Sequence, residues 1–335
     1  MNFLRENSPG ILYALGVAVG ALLLGKWFPI VGGPVFGIVI GILISNLWGK
    51  PAQTLPGLKF AGKQLLQWAI VLLGTGLSLT QVYRVGLDSL WVMVFTLSGA
   101  FITAYGLGKL MRIPIRLTSL IGMGTAICGG SAIAAISPII EAEDQEIAYA
   151  ISTVFLFNII AVLIFPPLGH WLGFSDHAFG LWAGTAINDT SSVVASGYAF
   201  SDAAGNYATI VKLTRSTMII PIAIIFALVV AWQKKRAAVE RAAVNFRFGK
   251  IFPWFILWFL VAALCNTIGW IHGPLANGLT ELGKFLIILA LSAIGLNSDF
   301  KKMNQMGLQP LLLGLLVWFA VAVISLIVQY GAGLI

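Results

Sequence analysis

The chain of 335 residues is 59% hydrophobic and carries only 10% Asp, Glu, Lys and Arg, where a soluble domain carries roughly 25% charged residues. That balance, with apolar runs of about 18 residues or more, excludes an ordinary soluble fold and defines a polytopic helical membrane protein. The net charge of +8 would suggest nucleic acid in a soluble protein, but the bases lie between apolar runs with no basic, aromatic-interleaved domain beside them, so nucleic acid is excluded as a partner.

In chain order, the apolar runs between turn signals predict eleven spans: 11–27, 30–48, 64–83, 88–108, 117–140, 147–168, 178–199, 207–232, 251–270, 282–298 and 309–330. In hydrocarbon each backbone N–H and C=O needs a partner within its own segment, so these runs are helical, and the alternation of a β-barrel is absent. The whole of 1–335 reads as one integral membrane domain of all-α class. The first run, "ILYALGVAVGALLLG" after Arg5, reads as a span and not a signal peptide, because no small-residue cleavage site leads into a soluble domain. Cys128 and Cys265 both lie inside apolar runs, which argues against a disulfide framework or a four-ligand zinc site.

Placing the loop "WQKKRAAVERAAVNFRFGK" in the cytoplasm puts every one of the twenty bases on that side except Lys26, Arg84, Lys212, Arg215 and Lys284. This positive-inside bias predicts a cytoplasmic N-terminus and a periplasmic or extracellular C-terminus in a bacterial inner (plasma) membrane. On that count the acidic turn "EAEDQE", 141–146, faces outward.

The least apolar words recur. The fifth run holds "GTAICGGSAIAA" (124–135) and the seventh "GTAINDTSSVVA" (184–195). Paired glycines cost about 1 kcal/mol each in a helix, and Asn, Asp, Thr and Ser are preferred N-caps, so each motif predicts a break followed by a second half-helix. Half-helix N-termini at mid-membrane present free amides and partial positive charge to anionic groups. The predicted anion contacts are Gly129, Gly130, Ser131, Thr190, Ser191 and Ser192. Close helix packing through small residues is the competing reading for "CGGSA"; it is weaker for "NDTSS", where an ionisable Asp189 lies inside a span.

The eighth run, "YATIVKLTRSTMIIPIA", adds Lys212 and Arg215 on neighbouring helical positions, with Thr209 and Ser216 extending the polar stripe. A buried guanidinium pairs with an acid or an anion, so both cations are expected to balance a bound anion; an Arg215–Asp189 pair is one alternative for the carboxylate and proton exchange at Asp189 the other. Asn188 and Asp189 are expected to couple movement to a proton or to a sodium ion, and the sequence leaves that choice open. Asn158 predicts an interhelical hydrogen bond. Pro34 and Pro138 predict helix kinks. Lys284 is expected to snorkel, with Glu281 as a neighbour. His170, His177 and His272 lack metal-ligand spacing, and no nucleophile and base are grouped as an enzyme would need.

Internal symmetry is suggested faintly by "GTGLSLTQV" and "SAIGLNSDF", which end oppositely directed runs. The fifth and seventh runs, counted as crossings, run the same way, so their shared "GTAI" is not read as an inverted repeat. Together "GTAICGGSAIAAISPIIEA", "GTAINDTSSVVASG" and "KLTRSTMIIPIA" resemble the YeiH family of bacterial inner-membrane proteins over nearly the whole chain. That resemblance implies a sulfate-exporter role, and the general design resembles the bile-acid-symporter and sodium/proton-antiporter folds, which implies two discontinuous helices crossing near the membrane centre. The function expected is secondary transport of a small anion, sulfate or sulfite, by ion-coupled alternating access. The rivals are a sodium/proton antiporter using Asn188 and Asp189, and an anion channel. No ATP-binding motif and no cofactor beyond a coupling ion is expected, and the partners are the anion and the lipid bilayer, with a homodimer left open.

Overall fold

The computed structural model describes residues 2–28, 32–236, 254–298 and 308–335. Arg241, Arg247, Lys250, Lys301 and Lys302, which enter the orientation reading, lie outside the described residues.

Among the described residues every regular element is a helix. A first bundle joins α1 (Asn2–Trp27), α2 (Gly32–Leu47), α3 (Leu55–Phe60), a π-helical turn (Ala61–Leu65), α4 (Leu66–Gly74), α13 (Trp254–Thr267) and α14 (Gly273–Asn297). A second joins α5 (Leu79–Leu110), α6 (Ile115–Ala126), α7 (Gly130–Ile136), α8 (Asp144–Trp171), α9 (Asp176–Ala186), α10 (Thr190–Phe200), α11 (Asp202–Thr217), α12 (Ile219–Arg236) and α15 (Leu308–Gly331). Six helices among the described residues are long and apolar enough to cross a bilayer: Arg5–Trp27, Leu79–Leu110, Gln145–Trp171, Asp202–Val230, Gly273–Asn297 and Leu308–Gly331. Helices α2 and α13 are apolar but shorter.

Two opposite faces can be followed along the chain. On one, the Leu79 amide donates to Thr267 Oγ1 (2.7 Å) and Asn266 Nδ2 donates to the Thr75 carbonyl (2.6 Å), which joins the α4–α5 and α13–α14 turns. On the other, Lys50 Nζ donates to the Asn297 carbonyl (2.8 Å) and Ser45 Oγ to that of Ser298 (3.0 Å). We call these the Thr75 face and the Lys50 face. Helix α5 runs from the Thr75 face to the Lys50 face. Helix α8 ends back at the Thr75 face, where His170 stacks on Phe200 with centroids 4.1 Å apart. There Ser201 Oγ donates to Asp176 Oδ1 (2.5 Å), and Asp202 pairs with Lys284 of α14 (2.7 Å), one turn after Thr280, which abuts Gly76 of the α4–α5 turn.

Two runs predicted as crossings therefore do not cross. A straight rod from 176 to 201 would hold its ends about 37 Å apart at 1.5 Å per residue, yet Asp176 and Ser201 are hydrogen-bonded. Helices α9 and α10 form a hairpin that enters and leaves at the Thr75 face. Likewise α6 and α7 enter and leave at the Lys50 face, because α5 ends there and α8 starts there. Ile133 of α7 folds back against Gly124 of α6, where an added Cβ would meet its Cδ1 at 2.8 Å. Hydropathy records how long an apolar run is, not whether it turns round halfway. Ile127, Cys128 and Gly129 form the first reversal, Gly129 at a φ of 64° that suits glycine. Ile187, Asn188 and Asp189 form the second in extended backbone.

The acidic turn 141–146 accordingly shares the Lys50 face with the α5–α6 turn, a correction to its outward placement. Its charge has a local use: Glu146 accepts from the Glu143 amide (2.9 Å), reaching back over the first turn of α8. Pro34 sits in the first turn of α2 and Pro138 in the turn after α7, so neither kinks a helix interior. Helix α11 is seated on the second hairpin through small residues: an added Cβ on Gly180 or Gly184 would stand 3.0 Å from the Ala204 or Ala208 carbonyl. That close approach brings the last two turns of α11, with Lys212 and Arg215, to both hairpin tips.

Candidate site at the hairpin tips

The first half of each hairpin ends in the protein interior, leaving its last carbonyls without intrahelical partners. Lys212 and Arg215, both 0% exposed, supply the missing donors. The Arg215 Nε donates to the Ala126 carbonyl (2.7 Å) and its Nη2 to that of Thr125 (2.5 Å), both at the end of α6. Its Nη1 reaches the carbonyls of Thr185 (2.6 Å), Ile187 (3.1 Å) and Gly184 (3.5 Å) at the end of α9. The Lys212 ammonium donates to Ile127 (2.5 Å), Ile187 (3.2 Å) and Asn188. One helix thus ties both tips together, with cations at two helix C-termini, the end of the dipole that attracts them.

Among the described residues neither cation pairs with a carboxylate, whereas Lys284 pairs with Asp202 and Glu281. Of the two alternatives the sequence leaves for Asp189, the pair with Arg215 is not formed, because the guanidinium fork is filled by carbonyls. Asp189 instead caps α10: its Oδ2 accepts from the Ser191 amide (2.9 Å) and from the Ser191 hydroxyl. Asn158 of α8 fixes the same tip, its Oδ1 accepting from the amides of Asn188 (3.1 Å) and Asp189 (3.0 Å), which is the interhelical bond the sequence predicts. From α15, Ser325 Oγ lies 2.7 Å from Thr185 Oγ1 and steadies the end of α9.

A cavity of about 370 Å³ begins at these tips and lies between the two bundles. The hairpins contribute Cys128, Gly130, Ser131, Asp189, Thr190 and Ser191 to its wall. Asn158 adds its side chain; with the oxygen committed to backbone, the amide N–H₂ is what remains to face a ligand. The opposite wall belongs to the first bundle: Gly62, Lys63, Leu66, Gln67 and Ile70, with Phe255 and Ile294. Phe255 and Ile294 sit near the Lys50-face ends of α13 and α14, and the residues from Gly62 to Ile70 lie midway along the α3–α4 rod. At the Thr75 face the bundles close on one another, through Lys284 bonded to Asp202 and through Gly32, where an added Cβ would meet Ala199 Cα at 3.1 Å.

The predicted residues divide as follows. Gly130, Ser131, Thr190, Ser191 and Asp189 line one cavity, with Gly129 capping α7 just behind them. Ser192 is buried and does not line it. Lys212 and Arg215 stand behind the tips and reach no lining position. Asn188 is buried, with neither side-chain amide atom hydrogen-bonded among the described residues. Sequence reasoning missed Lys63 and Gln67. Their signal was a stripe, Lys63, Leu66, Gln67 and Ile70 at helical spacing, masked because Lys63 also served as a topological base.

Helices throughout the described residues, several long enough to span a bilayer, and two hairpins meeting at one cavity define a polytopic helical membrane protein. The chain belongs to the UPF0324 family: the family model described as conserved hypothetical protein 698 matches residues 9–314. A UPF0324 membrane protein of Clostridium tetani is 43% identical over 343 residues, covering 99% of each chain. Relatives of the same description in Streptococcus pyogenes and Fusobacterium nucleatum are each 45% identical, the first covering 97% of both chains and the second 97% of this chain and 98% of its own. The YeiH family, whose motifs this sequence resembles, is the same family. No solved structure matches the chain.

Proposed function

We propose that this protein is an ion-coupled secondary transporter of a small anion, an oxyanion of sulfur such as sulfate or sulfite being the favoured class. The observation that carries the reading is the pair of hairpin tips whose polar residues line one end of a largely apolar cavity between two bundles. A cavity of this size is at the small end of ligand sites. Its hydroxyls on Ser131 and Thr190, with the Asn158 amide, are donors suited to an oxyanion, while that of Ser191 is given to Asp189. Helix α7 has only seven residues, so its value is its uncapped amides at Gly130 and Ser131 more than a dipole.

Lys212 and Arg215 take a role different from direct ligation. Their charge lies behind the tips, where it offsets the anion's field while the bonds to carbonyls fix both hairpins. Asp189 is the carboxylate at the cavity wall and the natural coupling group, binding a proton or a cation as the anion moves. In this reading the Lys50 face is cytoplasmic by the positive-inside rule, the membrane is the bacterial inner membrane, and the cavity is inward-facing. The two hairpins then enter from opposite sides with "GTAI" at the same place in each, an inverted relation between like segments.

Sodium/proton exchange at Asn188 and Asp189 is a second reading, favoured by one observation: the buried Asn188 amide has no protein partner among the described residues. Proteoliposomes separate the two. Uptake of labelled sulfate or sulfite that depends on a proton or sodium gradient supports anion transport. Sodium-driven proton flux without any anion requirement overturns it.

A further inference from the structure

We infer that Lys63, carried into the cavity by the π-helical turn of the first bundle, supplies the direct positive charge of the anion site; this rests on the anion-transport reading above. Among the described residues of the cavity wall Lys63 is the cation and Asp189 the carboxylate, and they come from opposite bundles. The hairpin wall offers hydroxyls, amides and a carboxylate, while Lys212 and Arg215 behind it on α11 are spent on carbonyls. A charge that touches the anion must therefore come from across the cavity.

The helix geometry isolates this lysine. In an unbroken α-helix Lys59 and Lys63, four apart, would share one stripe. The π-helical turn at Ala61–Leu65 inserts one extra residue and rotates the segment before it by about 100° relative to the segment after it. From Lys63 onward the stripe through Leu66, Gln67 and Ile70 faces the cavity, whereas Lys59 does not line it. Gly62 seats the turn against α14, where an added Cβ would meet Ile294 Cγ1 at 2.9 Å. A lysine needed only for membrane topology has no reason to be set apart in this way. Because the anion would then touch both bundles, its binding draws them together, which links occupancy to the movement alternating access requires.

The test is concentration-dependent uptake of labelled sulfate and of labelled sulfite into proteoliposomes by the wild type, Lys63→Gln, Lys63→Arg and Lys59→Gln, each first checked for a monodisperse gel-filtration profile. The expected result is a KM raised at least ten-fold in Lys63→Gln with kcat within about three-fold, near wild-type KM in Lys63→Arg, and no change in Lys59→Gln. If Lys63→Gln does not purify intact, Lys63→Cys in a background lacking Cys128 and Cys265 is treated with an aminoethyl thiosulfonate, which rebuilds an ammonium; KM should recover. A Lys63→Gln KM within two-fold of wild type, or no recovery on rebuilding the charge, overturns the role of Lys63 and leaves anion transport standing. A wild-type protein that moves neither anion overturns both.

Discussion

Replacing Arg215 by methionine removes the donors that hold the two hairpins end to end. The carbonyls of Thr125, Ala126 and Thr185 depend on it at 2.5 to 2.7 Å, while Ile187 keeps Lys212. A buried acceptor stripped of its donor costs about 1–3 kcal/mol, so three of them cost about 3–9 kcal/mol. Relief of the buried charge returns part of this, since apolar replacements of buried ions are often tolerated. A net loss of about 3–5 kcal/mol is therefore expected. Arg215→Lys keeps the charge but not the fork and should lose roughly half as much. Thermal unfolding in detergent, followed by the fraction remaining monodisperse on gel filtration, reads the order wild type, lysine, methionine. A methionine variant that unfolds at the wild-type temperature would refute the capping role, as would equal losses in both variants.

Three further outcomes follow from the same geometry. Asp189→Asn keeps a good N-cap for α10, so stability should stay within about 0.5 kcal/mol, while dependence of uptake on the proton or sodium gradient should vanish; retained coupling would remove Asp189 from that role. Asn158→Ala strips the acceptor from the buried Asn188 amide and the part-buried Asp189 amide and should destabilise by about 2–4 kcal/mol, whereas Asn158→Asp keeps an acceptor and should lose less, a ranking checked by the same thermal assay. Breaking the closure at the Thr75 face with Lys284→Gln should make Ser201→Cys react faster with a charged thiol reagent, because Asp202 loses its bond at 2.7 Å; an unchanged rate would mean that pair does not hold the face shut.

How much of this was legible beforehand depends on which physical signal each feature leaves. The all-helical membrane class follows from composition, and the breaks at "CGGS" and "NDTS" follow from glycine pairs and capping residues in apolar surroundings. The direction after each break left no local trace. Nothing in 178–199 distinguishes a helix that continues from one that turns round, since both bury the same apolar residues; only the Asp176–Ser201 bond decides it. The same ambiguity misplaced the acidic turn. Lys212 and Arg215 were recognisable as buried and important, but their partners are backbone carbonyls, which every residue carries and no side-chain pattern reveals. Lys63 was hidden by the reverse fault, a basic residue near a span end with a ready topological explanation.

The hairpin arrangement is tested most directly by sidedness labelling of single cysteines, at Met111, Gln145, Gly173 and Ser201, in a background with Cys128 and Cys265 replaced by serine. A membrane-impermeant thiol reagent applied to oriented vesicles should reach the cysteines at 111 and 145 from one side only, and those at 173 and 201 from the other side only. Labelling of 173 and 201 from opposite sides would mean that 176–200 crosses the membrane, and two tips meeting at one cavity could not then be the site.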